Sequence, residues 1–518
     1  MDGLIAGVSA ILEGPASAIC FTVSLLANSQ SSNGFFADCE SANAETTVRY
    51  TMPTTELPVI DHLKPPASVG LDQAASLAET DALPGQKVYI ETYGCQMNIA
   101  DTELIGGVLA SAGYVPTQRP RDADVILVNT CAVREHAEER VRNRMVELAS
   151  FRKKRPGLVI GVTGCMAEHL KERLLDESAD LVVGPDGYRG LADLIDGARV
   201  EPVMEVRLDR QENYTGLSPL RDDMGVTGWV TIMRGCDKFC SFCIVPFTRG
   251  REKSVPPGEL LGQITDLADR GGKEVCLLGQ TVNAYRHEGT TFADLLADVA
   301  SVDGIERVRF TSPYPTDFTD EAMEVMATHE AVMPHLHLPV QSGSDTVLER
   351  MRREYTVEEF LSVVDRLQQR IPDLAMTTDV IAGFCGETDD DFQKTLDLMR
   401  LVRFDAAFMF KYSTRDGTSA YSELPDDIPE TVKGERLKTV IDLQEDISAE
   451  RFESKVGNDV DVLVAGPSKR RDDQVHGRTS DFKNMVLPTT SKTHKNAIVR
   501  ARVTHATAHT LFGHSLDG

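Results

Sequence analysis

Arg234-Gly235-Cys236-Asp237-Lys238-Phe239-Cys240-Ser241-Phe242-Cys243 sets three cysteines in C-x3-C-x2-C spacing directly after the strand-like run Trp229 to Met233, and no fourth cysteine follows nearby. Three thiolates on one short loop can hold three irons of a cubane cluster, which leaves the fourth iron open to another ligand. A closed zinc site needs four protein ligands. The next cysteine, Cys276, lies inside the apolar run Glu274 to Leu278, and the loop contains no histidine. The spacing therefore predicts an open iron–sulfur cluster rather than zinc.

Working outward, the chain shows six strand-like runs between residues 226 and 455: Trp229 to Met233, Glu274 to Gly279, Arg307 to Thr311, His335 to Val340, Thr377 to Gly383 and Ala406 to Tyr412. The segments between them, such as Pro257 to Arg270, Thr356 to Gln369 and Asp389 to Val402, have helical periodicity and acidic starts. Six βα units predict an incomplete (β/α)6 barrel over 222–454 with its working loops at the carboxyl ends of the strands. The cysteine loop falls at the first of these ends. Polar residues recur at the same level: Gln280 and Asn283, then Gln341 and Ser342, then Gly386-Glu387-Thr388. These residue types also make turns and helix caps, and Gln280, Gln341 and Ser342 are candidates for cofactor contact.

Upstream, Val88 to Tyr93 ends at Gly94-Cys95, Val125 to Asn129 at Thr130-Cys131, and Leu158 to Val162 at Thr163-Gly164-Cys165. Helices are predicted to follow from Ala100, Glu135 and Glu168. In an open parallel α/β sheet such strand ends face one crevice and helix N-termini point into it. Cys95, Cys131 and Cys165 are thus placed to meet, over a domain spanning 86–202. Two other readings stay open: cysteines that are simply buried in strands, and a zinc site completed by His136 or His169.

Residues 1–85 read as a disordered extension and linker. The first 48 residues lack Lys and Arg, which argues against a secretory signal and a transit peptide, and Pro recurs from Pro53 to Pro84. At the other end, 455–518 alternates short β runs (Val460 to Val464, Val475 to Arg478, Ala497 to Val503) with turns and predicts a small β-barrel.

Charge is unevenly spread. The chain carries a net charge of -26, yet from Lys455 to Gly518 ten Lys and Arg face six Asp and Glu, net +4, so the remainder carries -30. Lys469-Arg470-Arg471, Arg478 and Lys483 are expected around the strand ends of the barrel as an RNA-binding face, with Arg249 and Arg251 adding cations beside the cysteine loop. Six of the ten cysteines sit in motifs beside strands, a pattern of metal ligation in a reducing, cytoplasmic compartment. No run of eighteen apolar residues predicts a membrane span.

Tyr93-Gly94-Cys95-Gln96-Met97-Asn98, Asn129-Thr130-Cys131-Ala132-Val133-Arg134, Thr163-Gly164-Cys165-Met166 and Cys236 to Cys243 with Ile244-Val245-Pro246-Phe247-Thr248-Arg249-Gly250-Arg251-Glu252 resemble the methylthiotransferase family of radical S-adenosylmethionine (SAM) enzymes. The resemblance runs from Lys87 to about His514. It includes Leu278-Gly279-Gln280-Thr281-Val282-Asn283, Leu338-Pro339-Val340-Gln341-Ser342-Gly343-Ser344 and Gly477-Arg478-Thr479.

The resemblance implies an auxiliary 4Fe-4S cluster on Cys95, Cys131 and Cys165, a second 4Fe-4S cluster with SAM on Cys236, Cys240 and Cys243, and a TRAM-like C-terminal RNA-binding barrel. Phe242 falls where an aromatic borders the SAM adenine, and Val380-Ile381-Ala382-Gly383 resembles the backbone lining that pocket. The implied reaction places methylthio on C2 of a dimethylallyl-adenine next to the anticodon. It uses one SAM as methyl donor and a second as radical source. Implied partners are the tRNA anticodon arm, an electron donor such as flavodoxin or ferredoxin, and a sulfur source, with the enzyme a monomer. Sister enzymes of the family act on threonylcarbamoyl-adenosine or on a ribosomal-protein aspartate. A non-catalytic RNA-binding protein with structural zinc is the alternative of another class. Cys385 departs from the family's proline and reads as a neutral substitution.

Overall fold

Val125–Thr130 and Val159–Gly164 are buried along their whole length, as expected of strands covered on both faces of a parallel sheet. They form the centre of a six-stranded sheet in the computed structural model. The described residues are 85–132, 135–176, 179–221, 225–469 and 471–516, together with the short antiparallel pair Ser9–Ala10 and Phe21–Thr22. The expected extension over 1–85 lies otherwise outside the described residues, as does Arg470.

The sheet strands are β1 (Lys87–Tyr93), β2 (Val115–Pro116), β3 (Val125–Thr130), β4 (Val159–Gly164), β5 (Leu181–Val183) and β6 (Val203–Glu205), ordered β2-β1-β3-β4-β5-β6. Every pair is parallel. Helices α1 (Gln96–Ser111), α2 (Glu135–Ala149) and α3 (Cys165–Leu170) return the chain between strands. Sequence periodicity places the starts of α1 and α3 too late. Gly94 and Gly164 hold φ at 139° and 90°, and these left-handed turns, available to glycine, let helix follow strand with almost no loop.

Six further parallel strands follow: β7 (Thr227–Thr231), β8 (Glu274–Leu278), β9 (Arg307–Phe310), β10 (His335–His337), β11 (Ala375–Ala382) and β12 (Ala406–Lys411). They pair in two runs of three, β9-β8-β7 and β10-β11-β12. The bridge Val308–Val332 lies between the runs. Helices Pro257–Asp269, Val357–Arg370 and Asp389–Val402 stand where the periodicity predicts them. Two of them open on a capping box, Thr356 with Glu359 and Thr388 with Asp391. Thr388 of the Gly386-Glu387-Thr388 set is therefore a cap.

The C-terminal segment closes a barrel of five strands, β13 (Asp459–Pro467), β14 (Gln474–Thr479), β15 (Asn484–Pro488), β16 (Ile498–Thr507) and β17 (Thr510–Ser515). Sequence alternation marks three of these. The other two are short runs between turns and give little periodic signal.

This barrel is seated against the core at the amino ends of β9, β10 and β12. Arg307 donates to the carbonyls of Arg478 and Asp461 at 2.9 Å each, Arg309 donates to that of Thr479 at 3.0 Å, and His335 stacks on Phe482 at 4.4 Å. Lys483, expected on the RNA face, is instead buried and donates to Asp405 Oδ1 at 2.5 Å and Asp481 Oδ2 at 3.1 Å. Arg478 is half-buried over the Phe482 ring at 4.1 Å. Both belong to the seam between barrel and core, because an isolated cation entering that seam requires a partner.

Candidate functional site

Register brings the first cysteine set together. Tyr93 pairs with Thr130 and Thr130 with Gly164, so the carboxyl ends of β1, β3 and β4 finish in one row. Cys95, Cys131 and Cys165 extend from that row by one or two residues. The Cys95 and Cys131 thiols hydrogen-bond one another, which with the Arg249 charge outweighs burial and lowers Cys95 to about 6. Cys165 is raised, because burial exceeds the pull of Arg249.

The row is braced from behind. Asn98 Nδ2 donates to Asn129 Oδ1 and to the Thr130 carbonyl at 3.2 Å, while Asn129 Nδ2 donates to the Asn98 carbonyl at 2.8 Å. A Cβ on Gly94 would stand 2.7 Å from Cys131 Cβ and 2.5 Å from Asn98 Oδ1. An iron centre on this set would therefore be stripped by Gly94→Ala, with about half of the total iron lost and the second set spared. Iron analysis of the reconstituted variant checks it.

The second set is shaped by its surroundings. Met233–Arg234 pairs antiparallel with Lys253–Ser254 and closes the base of the loop. Gly235, at φ 80°, leaves no room for a side chain, since a Cβ would stand 2.0 Å from the Arg251 carbonyl. Gln280 Oε1 accepts from Gly235 N–H at 2.7 Å, so it braces the loop. Polar groups point at the sulfurs: Thr281 Oγ1 lies 3.1 Å from Cys236 Sγ, and Arg353 donates to Cys240 Sγ at 3.4 Å. Burial pushes the Cys243 thiol up to about 12. Metal arrival must displace that proton, which makes assembly of a centre here pH-dependent.

Of the predicted cofactor residues, Phe242 meets Phe384 edge-on at 6.4 Å, and Phe242 and Ile381 pack against the same buried cluster around Phe384, which borders the Val380 to Gly383 stretch. Gly383 has φ 73°, and a Cβ there would lie 2.5 Å from Lys433 Cγ. Gln341, at φ 74°, ties its backbone to β11 through Asp379 and Ile381. Ser342 is fully buried: its hydroxyl accepts from Ser344 N–H at 3.2 Å and lies 3.3 Å from Thr395 Oγ1. That corrects its expected cofactor contact, because the hydroxyl is spent inside the protein.

Among the RNA candidates, Lys469 and Arg471 are exposed, with Arg471 2.7 Å from Asp473. Arg251 is exposed, pairs with Asp237 at 2.7 Å and lies over the Phe239 ring at 5.0 Å. Arg249 is a second correction. It is buried on Asp101 and Cys165, out of reach of a phosphate. Sequence reading misses Asp101, Thr281 and Arg353 as neighbours of the cysteines, since only folding brings them close.

The donor sets suit the groups predicted for them. Each offers three thiols and directed N–H or O–H groups around the sulfurs, the environment iron–sulfur clusters use. His169 is not free to complete a zinc site. His169 is engaged through Nδ1 with Glu138 at 3.3 Å and through Nε2 with the Asp416 carbonyl at 3.0 Å, and the His136 side chain lies outside the described residues. Among the described residues, no three His, Cys, Asp or Glu groups converge on a single metal ion, and no helix is long and apolar enough to cross a membrane.

Residues 87–184 match a family described as "Uncharacterized protein family UPF0004", and 230–399 match the Radical SAM superfamily. Two relatives named tRNA-2-methylthio-N(6)-dimethylallyladenosine synthase are close along most of the chain. The protein from Chloroherpeton thalassium is 45% identical over 83% of this chain and 96% of its own length, and that from Porphyromonas gingivalis 46% identical over 83% and 95%. Among solved structures, a radical SAM methyltransferase from Kitasatospora setae with cobalamin and a [4Fe-4S] cluster bound has a TM-score of 0.50 at 14% identity, over 65% of this chain and 77% of that one. It shares the fold. The cofactors that accompany these matches are SAM and 4Fe-4S clusters. On identity and coverage together, the chain belongs to the tRNA-2-methylthio-N(6)-dimethylallyladenosine synthase family of radical SAM enzymes.

Proposed function

We propose that this enzyme methylthiolates tRNA, installing the group on C2 of N6-dimethylallyladenosine beside the anticodon with two SAM and an auxiliary cluster. The observation that carries the reading is the 45% identity spanning 96% of a relative of that name, supported by two separate three-cysteine sets on adjoining parts of the fold. In this reading Cys236, Cys240 and Cys243 hold the SAM-binding cluster, and Cys95, Cys131 and Cys165 hold the auxiliary one. Functional parts follow the proposed divisions 86–202, 222–454 and 455–518.

The bound cofactors supply a radical able to act at an unactivated aromatic C–H and a sulfur to place there. The chain supplies placement. Phe242 and Ile381 offer an apolar wall for SAM, and Ala132, Cys165 and Ile244 form one buried contact between the two cysteine regions. Packing there keeps water out of the contact between the two cysteine regions.

For RNA, the reading uses exposed cations, Lys469 and Arg471 on the barrel and Arg251 beside the cysteine loop. The cysteine loop lies at the carboxyl ends of the core strands and the barrel at the amino ends of β9, β10 and β12, so an RNA touching both spans a strand length, roughly 20 Å. Such contacts are salt-dependent. Changing Lys469 and Arg471 together to Glu is expected to weaken tRNA binding and flatten its salt dependence, with SAM cleavage retained. Filter binding across a salt series checks it. Removing 455–518 is the poorer test, because it would uncover Arg307, Arg309 and His335.

An external electron donor, a sulfur source and a monomeric, cytoplasmic state complete the proposal. Mass spectrometry of tRNA nucleosides from a strain lacking this gene tests it: the methylthio-dimethylallyl nucleoside should vanish and its unthiolated precursor accumulate. Loss instead of a methylthiolated threonylcarbamoyl-adenosine, or of a modified ribosomal aspartate, would reassign the substrate.

A further inference from the structure

Arg249 follows the cysteine loop by six residues, yet only 2% of its side chain is exposed. Its Nε donates to Cys165 Sγ at 3.0 Å, while NH1 and NH2 fork onto Asp101 at 3.2 and 2.6 Å. The Tyr188 hydroxyl donates to the same carboxylate at 3.4 Å. Asp101 lies on α1, the helix capped by Cys95, and Cys165 is the first residue of α3. One guanidinium, stemming from the segment after Cys243, thus reaches two arms of the other cysteine set.

Stability alone does not account for this arrangement. A buried arginine–carboxylate pair gives no net advantage over well-packed apolar side chains of similar volume. What an apolar replacement cannot offer is an N–H directed at sulfur. A guanidinium forked onto a carboxylate has its remaining N–H directions fixed by planarity, so Asp101 aims Nε at Cys165.

We propose that Arg249 is a positioning residue of the auxiliary centre, held by Asp101 so that its Nε–H fixes the Cys165 sulfur and raises the reduction potential of the cluster that sulfur ligates. The inference rests on the reading of Cys165 as a ligand. Hydrogen bonds to ligand sulfur favour the reduced, more negative cluster, and a cationic donor strengthens that effect. Because Arg249 also stems from the SAM-loop segment, movement of that loop would alter the same bond.

The test is a potentiometric titration of the reconstituted full-length enzyme, followed by electron paramagnetic resonance. The wave that shifts on SAM addition marks the SAM-binding cluster, and the unresponsive wave marks the auxiliary one. In Arg249→Gln the unresponsive wave should move to more negative potential, with iron content and the SAM-responsive wave unchanged. Arg249→Lys, which keeps the charge but not the fork, should move it less. An unmoved wave in a fully loaded Arg249→Gln enzyme overturns the proposal. Should that variant lose auxiliary iron, the unaltered enzyme labelled with [15N]arginine carries the test: nitrogen hyperfine coupling on the reduced auxiliary cluster supports the donor, and its absence overturns it. Cys165→Ala separates the underlying reading, since retention of all the iron would remove Cys165 from the ligand set.

Discussion

Cys236, Cys240 and Cys243 changed together to Ala are expected to cost the reconstituted enzyme about half of its roughly eight irons and all reductive SAM cleavage. Changing Cys95, Cys131 and Cys165 is expected to cost the same share of iron and to stop methylthio transfer, while 5′-deoxyadenosine formation continues. The asymmetry follows from the fold. The Cys236, Cys240 and Cys243 set is held by its own hairpin and by Gln280 and Thr281 of the loop after β8, all within the core. The Cys95, Cys131 and Cys165 set hangs from a separate sheet. Iron analysis and chromatography of SAM products read both outcomes, and methylthio product from the second variant would remove the auxiliary centre from the mechanism.

Asp405→Ala is expected to be the most damaging substitution far from either cysteine set. The carboxylate is buried and accepts from Lys483 at 2.5 Å, from Arg451 NH2 at 2.9 Å and from the backbone N–H of Met376 at 3.0 Å. Its loss leaves Lys483 in the seam with Asp481 alone, and removing one partner of a buried ion pair costs about 3–5 kcal/mol. Denaturant unfolding should show the loss, with tRNA affinity falling although no exposed cation has changed. Acid should attack the same seam. Burial pushes Asp481 up, but Lys483 and Lys455 outweigh it and hold the carboxyl well below the ordinary range. A depressed carboxyl contributes fully above its unfolded pKa of about 3.9 and loses that contribution as pH falls through the lower folded value. The seam should therefore hold at mildly acidic pH and weaken only in strong acid.

Ser342 and Arg249 mislead in the same way. Each is a polar residue inside a motif, and a motif says that a side chain is needed without saying which way it points. Ser342 turns inward to Thr395, fifty-three residues on, and Arg249 to Asp101, 148 residues back. Helix starts mislead for a local reason. Apolar periodicity begins only where a helix meets the core, whereas Gly94 and Gly164 let α1 and α3 start at the cysteines themselves.

The sequence by itself determined the two cysteine sets, the strand that delivers each cysteine, the βα repetition of the core and the β character of the basic C-terminus. These are local properties of spacing and periodicity, and alternative registers would bury charge or expose apolar faces. Only the tertiary structure decided what the cations do. Arg249, Arg307, Arg309 and Lys483 look like surface charge in the chain, but each lies buried on an acid or carbonyl supplied from a distant segment. Long-range ion pairing leaves no periodic trace in sequence, because its partners meet only after the sheets and barrels that carry them have formed.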